Sequence, residues 1–314
     1  MRFEGARLTF RLNRFELIAF GAALGGLVVA AFAASAYVAS LTPGPECQQI
    51  SELTSFECQR AFDAFNGAQQ WVGGLLMAPL LLVVYAVGLF LGVPIVAREL
   101  ERGTVRLAWS LAPVRWRWYV ARVVPMLLVL VVLTFAAGVG ADRFFAVSHP
   151  GVDMAVSFDG YGARGGLLAA RAVFIFAVAV AVGSLIGRAL PAIIVAALVV
   201  AIGLWGGMQV HQGILRSEAV AVPVNREFIG GSGDMYLDQR FVLPDGTLVG
   251  WEYFGSDGMG PYDEFGNSKY PEVILVIPGE RYRFVETREA LGLGAASVLA
   301  LLLGAGVISR RRPG

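Results

Sequence analysis

Long uncharged apolar runs constrain the fold of this chain more than any other feature. Residues 17–41 carry no charge, residues 71–97 give 27 uncharged positions, and residues 123–141 give 19. Because a helix rises about 1.5 Å per residue and a bilayer core is about 30 Å thick, each run is long enough to cross a membrane. With 56% hydrophobic and 16% charged residues, the chain is excluded from ordinary soluble proteins. The first run exceeds the apolar core of a signal peptide, so a span is favoured over cleavage.

The remaining apolar sequence predicts three more spans. Residues 172–210 contain a single charge, Arg188, in a Gly-Arg-Ala-Leu-Pro segment. One straight helix of that length would overshoot the bilayer core, and Gly and Pro mark a turn. We therefore expect two spans, roughly 166–187 and 190–210, and a sixth at 290–309. The fold class is an all-α membrane protein with six transmembrane helices, of which helices 1–5 occupy residues 17–210.

The distribution of charge predicts the orientation of these spans. Four segments on one side hold 14 of the 25 Lys and Arg residues but only four of the 24 acids: residues 1–16, 98–122, Arg188 and 310–314. Basic residues are enriched in cytoplasmic segments, so both termini are expected in the cytoplasm, with 310–314 as a short tail. Arginine outnumbers lysine 24 to 1, as in GC-rich bacterial genomes, which favours a bacterial plasma membrane.

The N-terminal segment, residues 1–16, carries Arg7, Arg11 and Arg14 at helical spacing. This pattern predicts an amphipathic helix lying in the cytoplasmic interface of the membrane, with its cations near lipid phosphates. A basic tail without fixed structure is the alternative.

The chain has two cysteines, Cys47 and Cys58, and both fall in the first predicted outer loop. Disulfides form in oxidising compartments, so the pair is a disulfide candidate. Two free thiols are the alternative.

The predicted cytoplasmic loop at residues 98–118 mixes charges with bulky apolar residues and is long for a simple connection. Gly103 or Thr104 can end one helix and cap the next, which predicts a short helix over 104–111. Three of its apolar side chains are expected to contact a partner: Val105, Leu107 and Leu111. Pro113 would end this helix. Arg115, Arg117 and the neighbouring tryptophans would then anchor the third span at the interface.

The region between the fifth and sixth spans, residues 211–289, is the largest predicted outer segment. Residues 240–243 and 247–251 flank a Pro-Asp-Gly turn and predict a β-hairpin, and residues 273–277 predict another strand. We expect a small β-containing extracellular cap. Its role is left open between structural packing, gating and contact with cargo.

Three short patterns resemble the ABC-2 type transporter permeases. Residues 99–104 match a Glu-x-x-x-Gly-Thr stretch, residues 112–115 a turn made of a small residue, Pro, Val and Arg, and residues 277–286 the sequence that leads into the last span of bacterial relatives. The resemblance implies that the loop at 98–118 forms a coupling helix seated in a nucleotide-binding subunit. Four residues would carry that contact: Glu99, Glu101, Gly103 and Thr104. The alternative is a loop whose arginines only hold the topology.

Catalytic patterns are missing from the sequence. The single lysine, Lys269, lies outside any phosphate-binding loop, and His149 and His211 stand far apart, so we expect no enzyme activity, no cofactor and no metal site. A net charge of +1 gives no field to attract nucleic acid. Arg171 is the one ionisable residue expected to enter a span. Ion-coupled carriers use ionisable groups within their spans, so spans without acids suit a transporter whose energy comes from a separate protein.

The resemblance therefore predicts the permease subunit of an ATP-driven exporter for an amphiphilic or apolar substrate. A separate subunit would bind ATP and Mg²⁺, and a second permease copy or a paralogue would complete the transporter. Two other functions are weighed against this one. The first is a non-transporting sensor or assembly protein with a ligand-binding outer region. The second is an intramembrane enzyme, which the missing catalytic residues disfavour.

Overall fold

A computed structural model describes residues 14–48, 55–105, 109, 114–224, 233–254, 261–262 and 268–311 of the chain. Several predicted features lie outside the described residues, namely residues 1–13 of the interfacial helix and the coupling residues Leu107, Leu111 and Pro113.

The chain divides into two compact units. The helical unit comprises Met1–Pro150, Gly160–Leu204 and Glu286–Gly314, and the sheet unit comprises Gly151–Asp159 and Trp205–Val285.

Six helices of the described chain are long and apolar enough to cross a membrane, which confirms the predicted number of spans. They are α1 (Arg14–Ser40), α2 (Phe56–Glu101), α3 (Arg115–Ser148), α4 (Gly165–Ile186), α5 (Ala189–Glu218) and α6 (Tyr282–Arg310). Several extend beyond the apolar runs, because helical hydrogen bonding continues into polar sequence until a cap ends it. As α5 continues to Glu218 and α6 begins at Tyr282, the segment between them is shorter than the predicted region 211–289.

Local capping explains where these helices end. The Ser55 hydroxyl accepts a hydrogen bond from the Cys58 amide at 3.3 Å and starts α2. At the other end of α2, Gly103 has φ +69°, and after α4 Gly187 has φ +70°. Glycine adopts this left-handed conformation without a Cβ penalty, so both positions stop a helix. The predicted turn between the fourth and fifth spans is confirmed at Gly187.

Helices α2 and α4 approach closely through glycines. A Cβ on Gly92 would lie 2.8 Å from the carbonyl oxygen of Phe176 and 2.7 Å from the Cβ of Ala179. On the facing helix, a Cβ on Gly183 would lie 2.9 Å from the carbonyl oxygen of Val93. Small residues allow membrane helices to pack backbone against backbone. We call this contact the α2–α4 seam.

The sheet unit contains four antiparallel strands in the order β1-β4-β2-β3. Their bounds are β1 Val220–Pro223, β2 Met235–Val242, β3 Leu248–Val249 and β4 Glu272–Ile277. The predicted hairpin is confirmed, because Phe241 pairs with Val249 across β2 and β3. In its turn the Thr247 amide donates to the Asp245 carboxylate at 2.9 Å, which lowers the pKa of Asp245. The sequence patterns did not predict β1.

Aromatic side chains fill the core of the sheet unit. Phe241 is fully buried and makes edge-to-face contacts with Trp251, Phe254 and Tyr262 at centroid distances of 5.5, 5.3 and 6.2 Å. The Phe158 amide donates to the Gly233 carbonyl at 2.7 Å. The segment after α3 therefore belongs to this unit, which the sequence analysis did not anticipate.

Candidate functional site

The ends of five helices of the helical unit come together beside the predicted coupling loop. We call this region the helix-end junction, and its contacts join Glu99, Glu101, Arg115, Arg122, Leu185, Ala189 and Arg311. Five of these residues lie in segments 98–122 and 310–314, and Leu185 and Ala189 flank Arg188, so the structure brings together three segments that the charge distribution placed on one side of the membrane.

Glu99 joins α2 to α3 by an ion pair. Its Oε1 lies 2.8 Å from Nη2 of Arg122, and the two side chains are only 19% and 11% exposed. Removing one partner of a mostly buried ion pair destabilises the fold, because the other charge is then left buried without a counter-charge. The resemblance assigned Glu99 to the contact with a partner, whereas the structure directs its carboxylate at α3.

Glu101 joins α2 to α5. Its Oε2 accepts a hydrogen bond from the backbone amide of Ala189, the first residue of α5, at 3.0 Å. The amides at a helix start have no partners within the helix and carry partial positive charge, so a carboxylate is stabilising there. Glu101 is exposed.

Two arginines join α3, α4 and α6. Arg115 Nη1 donates to the backbone carbonyl of Arg311, directly after α6. The Nη2 of Arg311 donates to the carbonyl of Leu185 in the last turn of α4 at 3.1 Å. A cation at the C-terminal end of a helix satisfies carbonyls that have no partners within the helix.

The residues that follow α2 differ in exposure. Gly103 and Thr104 are exposed, and the Thr104 hydroxyl donates to the Glu99 carbonyl at 3.3 Å. Val105 is only 5% exposed and belongs to the apolar core that includes Trp118. Val105 was expected to contact a partner. Instead it packs inside, because the chain after Thr104 turns its first apolar side chain toward the bundle.

The sequence profile of one protein family covers this junction. The family is described as ABC-2 membrane transporter related, and its profile matches residues 17–211. The chain belongs to this family. The match takes in most of α1, all of α2 to α4, most of α5 and every residue of the junction except Arg311, and it stops before the sheet and α6. No curated protein and no solved structure matches the chain.

In this ABC-2-related permease, the tryptophans near the start of α3 take different roles. The guanidinium of Arg115 lies 4.7 Å from the ring centroid of Trp109, a cation–π distance, and Trp109 meets Trp118 edge-on at 6.3 Å. Trp118 is 9% exposed, whereas Trp116 is 50% exposed and has Arg117 over its ring at 5.8 Å. Of the residues predicted to anchor the third span, Trp116 and Arg117 are therefore the exposed ones, and their role at a membrane interface stays a prediction.

The permease contains a second charged cluster, which the sequence analysis missed. The Glu289 carboxylate of α6 accepts from Arg171 Nη2 at 2.7 Å and from the Tyr161 hydroxyl at 2.6 Å. We call these three residues the Glu289 clamp. Burial, and then the hydrogen bond to Glu289, raise the pKa of Tyr161, which keeps its hydroxyl protonated as a donor. An arginine inside an apolar run needs a compensating partner, so the position of Arg171 signalled that a partner exists but not that it is Glu289.

A third ion pair of the permease lies between α3 and the start of α4. Arg164 is 3% exposed, and its Nε lies 2.7 Å from the Asp142 carboxylate. Nearby, a Cβ on Gly138 would overlap the carbonyl oxygen of Gly165, so the two backbones touch. This pair supports a joint that is already tightly packed.

The predicted cysteine pair is disulfide-bonded in the structure. The Cα atoms of Cys47 and Cys58 are 5.3 Å apart. The parts of the permease that the structure describes contain no group of three or more His, Cys, Asp or Glu side chains placed to hold a metal ion.

Proposed function

We propose that the chain is the membrane-spanning permease subunit of an ATP-driven ABC transporter that exports an amphiphilic or apolar substrate. Family membership supports the permease assignment, since the match includes residues 98–118. ATP and Mg²⁺ are assigned to a separate ATP-binding subunit, because the single lysine, Lys269, stands outside any phosphate-binding loop. A second copy of the chain or a paralogue completes the transporter.

The observation that carries this proposal is an exposed pair of residues just after α2, at the point where α2 is bonded to α3 and α5. Gly103 and Thr104 are open to a partner, and a Cβ on Gly103 would meet nothing within 4 Å. Directly before them, Glu99 is bonded to α3 and Glu101 to α5. A subunit that displaces this pair would therefore move several helices together, as ATP-driven switching between inward-open and outward-open states requires.

The proposal places the helix-end junction in the cytoplasm. Arginines cluster in the segments that form it, and cytoplasmic segments of membrane proteins are enriched in basic residues. Both chain termini would then be cytoplasmic, and the sheet unit would be extracellular. An oxidised Cys47–Cys58 pair fits the same orientation.

Thr104→Trp tests the proposed contact with an ATP-binding subunit. The chain would be co-expressed with the P-loop ATPase encoded beside it, and the amount of copurified ATPase measured. Because Thr104 is exposed, a bulky side chain there should block docking and lower the copurified ATPase at least about tenfold, the loss expected from a clash at the centre of an interface. Thr42→Trp is the matched control, an exposed threonine on the side predicted to be extracellular.

Undiminished copurification with Thr104→Trp would contradict the coupling site. Orientation is tested on the same two threonines, replaced singly by cysteine in a chain without Cys47 and Cys58. A membrane-impermeant maleimide should label Thr42→Cys in intact cells and Thr104→Cys only after permeabilisation. If no ATPase associates, and the whole chain binds a solute through the sheet unit, the sensor or assembly function is favoured instead.

A further inference from the structure

Helix α3 begins with three arginines, and the fold uses the charge of two of them. Arg115 donates to a backbone carbonyl beyond α6, and Arg122 pairs with Glu99. Arg117 is exposed, and its guanidinium lies over the ring of Trp116 at 5.8 Å. Within the described part of the chain, this guanidinium has no hydrogen bond and no ion pair. The charge of Arg117 is therefore available to a partner from outside the chain.

The surroundings of Arg117 favour a negatively charged partner. Residues 98–122 contain six arginines and two acids, and the first turn of α3 contains no acid. Both acids are already bonded, Glu99 to Arg122 and Glu101 to the amide of Ala189. A second copy of the chain that met this face symmetrically would bring like charges together, which is unfavourable. The partner must therefore supply its own negative charge.

The same side of α3 continues from Arg117 into the membrane as an apolar row. Its exposed side chains follow Trp116 at four-residue spacing, which places them along one side of the helix: Val120, Val124, Leu128 and Val132. Leu128 is 11 residues beyond Arg117, so roughly 17 Å separates them, about half the thickness of a bilayer core. We call Trp116, Arg117, Val120, Val124 and Leu128 the Arg117 surface. It combines a cation at one end with apolar side chains that reach the depth of one leaflet.

The side chains of this row suit an acyl chain better than another helix. Membrane helices approach one another through small residues. Two glycines of α3 are used in this way inside the chain. A Cβ on Gly138 would overlap the carbonyl oxygen of Gly165, and one on Gly140 would lie 2.9 Å from the Cβ of Ala31. The exposed row consists of valine and leucine instead, around which a flexible hydrocarbon chain can pack.

We propose that the Arg117 surface binds an anionic glycerophospholipid. The guanidinium of Arg117 donates to oxygens of the lipid phosphate, which its planar group of donors fits well. One acyl chain lies along Val120, Val124 and Leu128, and the Trp116 ring marks the boundary between headgroup and hydrocarbon. A free phosphate would use only the guanidinium, so the apolar row assigns the site to a lipid. This inference requires that the chain spans a membrane, and it does not depend on the proposed transport function.

Brominated lipids test the site, because bromine quenches a fluorophore only at close range. A bimane would be attached at Val124→Cys in the full chain with Cys47→Ser and Cys58→Ser, reconstituted in mixed bilayers. Quenching by brominated phosphatidylglycerol, which is anionic, would be compared with quenching by brominated phosphatidylcholine, which has no net charge. The anionic lipid should bind about fivefold more tightly at this position, the preference expected of one arginine at an anionic membrane surface.

Three variants make the result specific to Arg117. Arg117→Gln should bring the ratio of the two binding constants close to one. Arg117→Lys keeps the charge and should keep most of the preference. Arg60→Gln is the matched control, because Arg60 is an exposed arginine of α2 that lies 11 residues before the uncharged run at 71–97. It should leave the ratio unchanged.

Equal quenching by the two lipids in the chain that retains Arg117 would overturn the proposal, and this measurement does not depend on the folding of Arg117→Gln. A preference that survives Arg117→Gln would contradict it as well. Absence of quenching by either lipid would show that protein covers the surface. Loss of the preference in inorganic phosphate, but not in chloride of equal ionic strength, would assign Arg117 to a free anion instead. Copurification of an ATPase tests the proposed function separately, since the lipid measurement uses this chain alone.

Discussion

Helix α4 contacts α2 through glycines and backbone atoms, and near its N-terminal end it contacts α6 through the charged Glu289 clamp. At the α2–α4 seam, Gly92 lies directly against the Phe176 carbonyl. At the clamp, the contact consists of long side chains that reach from α4 and from Tyr161 to Glu289. The first contact depends on the absence of side-chain volume and the second on the presence of charge.

The difference indicates how closely α2 and α6 are each packed against α4. Dispersion contacts are lost quickly as surfaces move apart, so the α2–α4 seam favours a single arrangement. An ion pair between long side chains needs no such close approach of the two backbones. Helices α1 to α4 therefore form the closely packed set, and the contacts of α6 with it include the charged Glu289 clamp.

Gly92→Val should produce the largest effect, because it disrupts the closely packed set directly. The new side chain would overlap backbone atoms of α4, and such overpacking should cost about 3 kcal/mol or prevent folding. Thermal unfolding of the detergent-purified chain would measure the loss. Gly74→Val is the matched control, since Gly74 lies on the same helix and a Cβ there would meet nothing within 4 Å. Equal unfolding temperatures for the two variants would contradict the close packing of the α2–α4 seam at Gly92.

Glu99→Gln should have the next largest effect and tests whether charge also strengthens the closely packed set. The substitution leaves Arg122 without its ion-pair partner in a site that is mostly withdrawn from water, which should cost about 2 kcal/mol. Glu57→Gln, an exposed glutamate in the first turn of the same helix, should change the unfolding temperature little. If the two substitutions lower the unfolding temperature equally little, the Glu99–Arg122 pair adds no stability to the contact between α2 and α3.

Much of the fold could be predicted because the bilayer imposes a strong length requirement on apolar sequence. The six spans and the turn at Gly187 follow from uncharged length and from glycine and proline placement. The hairpin at Phe241 and Val249 follows from a Pro-Asp-Gly turn. Strand β1 was missed because its four residues follow α5 directly and offer too short a pattern.

The candidate site was predicted less completely, because a sequence does not show where a charged side chain points. The loop was located, but Glu99 is directed at Arg122 and Val105 at the core. The pairing of Arg171 with Glu289 joins residues 118 positions apart, and local patterns cannot reveal contacts at such separation. The predicted roles of Leu107, Leu111 and Pro113 stay predictions.

Tyr119→Phe should have the smallest effect. It tests the other attachment of α6, the hydrogen bond between Tyr119 and Leu301. It removes one hydrogen bond, to the Leu301 carbonyl, and keeps the ring in the core, so it should cost about 1 kcal/mol. Tyr37→Phe, at an exposed tyrosine of α1, is the matched control for the loss of a hydroxyl.

The double variant Tyr119→Phe with Glu289→Gln then decides whether the two attachments of α6 act independently. Sites roughly 18 Å apart on one helix should be additive in unfolding free energy to within about 0.5 kcal/mol. Additivity is the result expected of two attachments that share no partners. A loss much greater than the sum would mean that α6 detaches as one piece, and the two attachments would then not be independent.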